Sequence, residues 1–173
     1  METPTDAQKA KVGPYFQDLQ KFLSIRDYRQ VLKISNKLLH SDGFRQSLRL
    51  AKCKASALLK MSRYDEVGKF VGSLGTAQQS DLAYEKSYAL YRQFKNEEAL
   101  EAIGKATINT PQDQLKISEL RAQILYRLED FSQARDIYKN LLRETSDDNE
   151  EDRETNLLAC EASLGLVEIF VMC

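Results

Sequence analysis

At 173 residues, with 42% hydrophobic and 29% charged side chains but only 7 Gly and 3 Pro, the chain has the balance of a folded helical protein; collagen-like and disordered classes are excluded. No run of about 18 apolar residues occurs and the first thirteen residues are polar and mixed in charge, so the sequence predicts neither a membrane span nor a signal peptide, and a cytoplasmic address. The net charge of -1 hides an asymmetry: residues 144–173 hold nine acids and one base, Arg153, which leaves 24 bases against 17 acids in the preceding 143.

Taken in chain order, residues 1–12 read as a flexible N-terminus and residues 13–173 as one domain of tandem helical hairpins. Hairpins packed in series need a small residue where helices cross closely, and a recurring turn before it. That signature appears at Asp27-Tyr28-Arg29-Gln30-Val31, Arg63-Tyr64-Asp65-Glu66-Val67, Lys95-Asn96-Glu97-Glu98-Ala99 and Asp130-Phe131-Ser132-Gln133-Ala134. The equivalent positions Tyr28, Tyr64, Asn96 and Phe131 are 36, 32 and 35 residues apart, close to the tetratricopeptide period of about 34. Around the turns, apolar residues follow the helical i, i+3, i+4, i+7 rule, as in Tyr15, Leu19, Phe22 and Leu23, then Val31, Ile34 and Leu38. Breakers at Ser41-Asp42-Gly43, Gly72-Ser73-Leu74-Gly75 and Asn109-Thr110-Pro111 separate hairpins expected at about 13–41, 44–74, 79–109 and 113–145. An acidic loop, 146–152, and a capping helix, 153–172, complete an all-α tetratricopeptide-repeat superhelix. Val31 and Val67 stand where the repeat usually has Ala, and the first helices lack its Trp and Gly.

Catalytic chemistry is missing from the pattern. There is no G-x-S-x-G, H-E-x-x-H, P-loop or G-x-G-x-x-G, and the single histidine, His40, has no cysteine partner nearby. Cys53, Cys160 and Cys173 form no C-x-x-C pair, and Cys53 and Cys160 read as small buried hydrophobes. The acids from Asp147 to Asp152 lack the glycine of a calcium loop and read as a solvated charge run. A binding protein is therefore expected, with no enzyme activity, cofactor, metal or small-molecule substrate.

The ligand-facing candidates lie on the first helix of each hairpin, which lines the concave face in this architecture. Tyr84, Tyr88 and Tyr91 recur at i, i+4 and i+7, Arg92 follows, and Tyr126-Arg127 repeats the Tyr-Arg pair 35 residues later. Tyrosine offers a rigid apolar face with a polar tip, and arginine a fork of donors for carboxylates or carbonyls. The competing reading packs these tyrosines between neighbouring helices, leaving no groove contact. By the same repeat arithmetic Lys52, Leu59 and Lys60, and Glu119 with Gln123, face inward; Arg153, Asn156, Leu157 and Cys160 share a face of the last helix. Three ligand classes fit such a body: a peptide in the groove, RNA on its basic surface, or a C-terminal carboxylate held by lysines and asparagines. The tyrosine-rich third hairpin matches the last poorly.

Three segments carry a closer likeness: Tyr84-Glu85-Lys86-Ser87-Tyr88 with Leu90-Tyr91-Arg92, Gln123-Ile124-Leu125-Tyr126-Arg127-Leu128-Glu129, and Asp152-Arg153-Glu154-Thr155-Asn156-Leu157 after the acidic loop. In these the chain resembles, over most of residues 12–160, the N-terminal repeat region of the 72-kilodalton subunit family of the eukaryotic signal recognition particle. The resemblance implies a scaffold that embraces a peptide segment of the 68-kilodalton subunit in its concave groove and supports co-translational targeting to the endoplasmic reticulum. It implies that the particle's RNA is reached only indirectly, or through a basic segment absent here.

Overall fold

The four turns marked by the repeat share one backbone solution. The computed structural model describes residues 6–41 and 43–172, with side chains over 12–41 and 43–165. In each turn one residue takes a left-handed conformation: Arg26 (φ 59°), Ser62 (58°), Phe94 (61°) and Glu129 (62°). The next residue donates its N–H five positions back, Asp27 to the Phe22 carbonyl (2.9 Å), Arg63 to Leu58 (2.9 Å), Lys95 to Leu90 (3.1 Å) and Asp130 to Leu125 (3.0 Å). This is the Schellman ending, which satisfies carbonyls that a helix C-terminus leaves open. The residue that closes one helix then opens the next: the Asp27 carboxylate accepts from the Gln30 N–H at 3.2 Å and the Asp130 carboxylate from Gln133 at 3.1 Å.

Between these joints run ten helices among the described residues: α1 (Asp6–Ser24), α2 (Tyr28–Leu39), α3 (Leu48–Lys60), α4 (Tyr64–Gly72), α5 (Thr76–Asp81), α6 (Ala83–Arg92), α7 (Asn96–Ile103), α8 (Pro111–Arg127), α9 (Phe131–Glu144) and α10 (Glu150–Met172). The all-α architecture of repeated hairpins expected from the sequence is the one observed. Ser47 caps α3, and Thr110 followed by Pro111 opens α8, the hydroxyl accepting from Asp113 N–H at 3.1 Å. α4 and α7 have no side-chain cap; acids in their first turns, Asp65 and Glu66 or Glu97 and Glu98, meet the positive end of the helix dipole instead.

Helix limits differ from the sequence expectation in several places. α1 begins at Asp6, within the stretch expected to be flexible, because Asp6 to Val12 is a run of ordinary helix formers. α5 begins in the expected gap between the second and third hairpins and runs three residues into the expected third one; it starts directly after Gly75, and Gln79 Nε2 donates back to the Leu74 carbonyl at 2.8 Å. α10 begins three residues inside the expected acidic loop, where Glu150, Glu151 and Asp152 favour a helix start.

The chain divides within α6 into two compact units, Met1–Ala89 and Leu90–Cys173. In the first, α1 packs on α2, α2 on α3 and α3 on α4, around a core that includes Leu19, Val31, Leu38, Leu50, Leu58, Val67 and Val71. In the second, α7 packs on α8, α8 on α9 and α9 on α10, around Ala122, Leu125, Ala134, Tyr138, Leu141 and Cys160. The crossing positions of the repeat, Val31, Val67, Ala99 and Ala134, are each 0% exposed, so the valines occupy the small-residue site that the spacing assigns them.

Candidate partner-binding site

α6 divides its residues by face. Ala83, Ser87 and Leu90 are buried, whereas Tyr84, Tyr88 and Tyr91, one position along, are half-buried, and Arg92 at the end is exposed. The same division recurs on α8, where Ala122 and Leu125 are buried, Glu119 and Gln123 half-buried, and Tyr126 and Arg127 exposed. On α3, Ala51, Ala55 and Leu58 are buried, Lys52 and Leu59 half-buried, and Lys60 exposed. Each helix thus presents aromatic or long polar side chains at helical intervals beside a buried strip.

Within the second unit aromatic side chains make contacts at the surface. The Arg127 guanidinium lies 3.6 Å from the centre of the Tyr91 ring and 5.0 Å from that of Phe94. Its Nη1 also donates to the Tyr91 carbonyl at 2.8 Å, one of the acceptors at the end of α6. Tyr126 meets Phe131 edge-on, with ring centres 5.2 Å apart. The Tyr-Arg repetition seen in the sequence is therefore a physical contact between successive hairpins, with the second pair's arginine on the first pair's tyrosine.

Arg153 is placed otherwise than the sequence reading expected. It is 2% exposed, and its guanidinium pairs with Glu119 (Nε to Oε1, 2.7 Å) and Asp147 (Nη2 to Oδ2, 2.8 Å) while donating to Thr145 Oγ1 at 2.6 Å. A cation so enclosed joins α8, the acidic segment and α10, and offers a partner no surface; Glu119 is drawn into the same cluster. A buried charge is stable only when paired, and the acids that read as a solvated run supply one of those pairs. The hydrogen bond from Arg153 and one from the Asn149 N–H hold the Asp147 carboxyl below its ordinary range. Asn156 and Leu157 remain half-buried, Leu157 against the second core, and Cys160 is fully buried, where desolvation pushes its thiol up. Burial acts the same way on the phenol of Tyr138 and the thiol of Cys53.

Among the described residues no group of three or more His, Cys, Asp or Glu could hold a metal ion, and no helix is long and apolar enough to cross a membrane. Sequence reasoning missed Phe94, which is 77% exposed beside Arg127; its position on a turn, away from the helical stripe, concealed it.

Comparison with known proteins identifies the repeat family. The SRP_TPR_like family model, a TPR-like repeat, matches residues 24–163. The chain is similar to signal recognition particle subunit SRP72 of Caenorhabditis elegans, with 32% identity over 158 residues, which is 90% of this chain and 24% of that protein. Against the Homo sapiens subunit of that name the identity is 33% over 138 residues, 79% of this chain and 20% of the relative. For Schistosoma mansoni it is 31% over 148 residues, covering 86% and 20%. The chain spans between a fifth and a quarter of the length of these relatives.

Proposed function

This chain belongs to the SRP_TPR_like family of TPR-like repeats, and from that membership we propose that it is a non-enzymatic scaffold of the signal recognition particle, which acts in the cytoplasm by holding a peptide segment of a partner subunit. The partner to which the resemblance points is the 68-kilodalton subunit. The observation that carries the reading is the face of α6: three tyrosines, half-buried beside a buried strip of Ala83, Ser87 and Leu90. Large aromatic side chains held on a helix with part of their surface in solvent are the kind of anchor from which peptide grooves draw most of their affinity, about 2 kcal/mol or more for each hot spot. Lys52, Arg92, Gln123, Tyr126 and Asn156 are the further contacts of this reading, each half-buried or exposed. RNA is reached through the partner or through other segments of the assembled protein.

Calorimetric titration of the chain with C-terminal peptides of the 68-kilodalton subunit tests this. Micromolar or tighter binding, weakened at least about tenfold by Tyr88→Ala with Tyr91→Ala, is the expected result. Absence of heat from a folded chain would sink the partner assignment. Tight, steeply salt-dependent binding of RNA in its place would favour the basic-surface reading.

A further inference from the structure

We infer that Arg127 is a positioning residue for Tyr91, standing in for the aromatic ring that the third turn lacks at the position opening its second helix, and is not itself a contact of the ligand. The inference deepens the peptide-groove reading and rests on it for the effect on binding. At three of the four turns the residue opening the second helix is aromatic, Tyr28, Tyr64 or Phe131; at the third it is Asn96. The fourth turn shows what that ring does, since Phe131 reaches back edge-on to Tyr126 at 5.2 Å. Tyr91 and Asn96 are the counterparts of Tyr126 and Phe131, each 35 residues earlier. Asparagine has no ring to give, and its Oδ1 is buried without a hydrogen-bond partner, as befits a polar side chain in a place the repeat shapes for an apolar one.

Arg127 comes to Tyr91 from the next hairpin. Its guanidinium covers the ring at 3.6 Å, lies 5.0 Å from Phe94, and ties the Tyr91 carbonyl at 2.8 Å. One planar group thus contacts both the ring and the last turn of the helix that carries it. Lysine cannot do the same, because a point charge on a flexible stem neither stacks as a plane nor bonds through a fork. The arginine that sequence spacing assigns to ligand recognition is, on this geometry, already turned toward its own chain.

The test needs no ligand for its first arm. Tyrosine selectively labelled in its ring carbons, observed by nuclear magnetic resonance, reports Tyr91 in the wild type, in Arg127→Met and Arg127→Lys, and in Arg127→Met with Asn96→Phe. The expected result is a shifted or broadened Tyr91 signal in both single variants that returns when Asn96→Phe supplies the ring; Asn96→Tyr serves if that double variant does not fold. A Tyr91 signal unmoved by Arg127→Met would overturn the inference. In the second arm the 68-kilodalton-subunit peptide is titrated: Arg127→Met should weaken it about threefold to fivefold, and the double variant should restore it. Lost binding with a restored Tyr91 signal would overturn positioning and make Arg127 a direct contact. If the wild type binds no peptide, the groove reading fails, and the resonance arm alone decides the role of Arg127.

Discussion

Arg153 is the one base among the last thirty residues, and its burial turns a surface-looking acidic stretch into part of the fold. Removing one side of a buried ion pair strands the other side's charge; Glu119 and Asp147 retain 25% and 33% of their side-chain exposure, so water would soften the loss. Arg153→Met should therefore destabilise the chain by about 3 kcal/mol, the low end for such clusters, as read by urea denaturation. Acid should act through the same contact. Because the folded Asp147 carboxyl is held below its ordinary 3.8, the stability it contributes is fully present above about pH 4 and is lost as pH falls through the depressed value. The denaturation midpoint should drop across that window in the wild type and drop less in Arg153→Met. An isolated base within an acidic run was visible in the sequence; its fate was not, because Glu119 stands 34 residues away and only packing brings the two together.

At the level of the helices, the repeat works through its joints. Period and small-residue spacing located all four turns, since both follow from how closely successive helices must cross. The left-handed residue inside each turn escaped notice because it is Arg, Ser, Phe or Glu, with no glycine to mark it. An L residue is strained by about 1–2 kcal/mol in that conformation, and glycine gives back roughly half of the relief as extra chain entropy. Ser62→Gly should accordingly stabilise the first unit by about 0.5–1 kcal/mol in thermal or chemical melts, whereas Ser62→Val should destabilise it. The crossing positions predict the opposite sensitivity. Ala134 is 0% exposed among Leu125, Tyr138 and Cys160, and Ala134→Leu should cost about 1–3 kcal/mol by overpacking. α5 was illegible for a different reason: Thr76-Ala77-Gln78-Gln79-Ser80-Asp81 has no apolar period, and its placement depends on side-chain bonds such as Gln78 Nε2 to the Gln46 carbonyl at 3.2 Å.

For the molecule as a whole, the proposed scaffold role makes stability and binding one measurement. Division of α6 into a buried face of Ala83, Ser87 and Leu90 and a half-buried face of tyrosines was legible from the i, i+4, i+7 spacing alone. What that spacing left open was which neighbours the polar ends choose, and Arg127 and Arg153 both chose partners within the chain. A ligand that binds only the folded chain stabilises it by RT ln(1 + [L]/Kd), about 2.7 kcal/mol at a hundredfold excess over Kd. Peptide at that concentration should therefore raise the unfolding free energy by about that amount and slow amide exchange in α6 and α8, the helices bearing most of the candidate contacts. Tyr88→Ala with Tyr91→Ala should abolish most of this gain; the unliganded chain should still fold, because the buried strip beside the tyrosines is untouched, but with a lower midpoint, because the half-buried rings and the Arg127 contact on Tyr91 are lost. A double variant that unfolds without ligand would show instead that the tyrosines hold the helices together, and the stripe would then belong to the packing of the repeat.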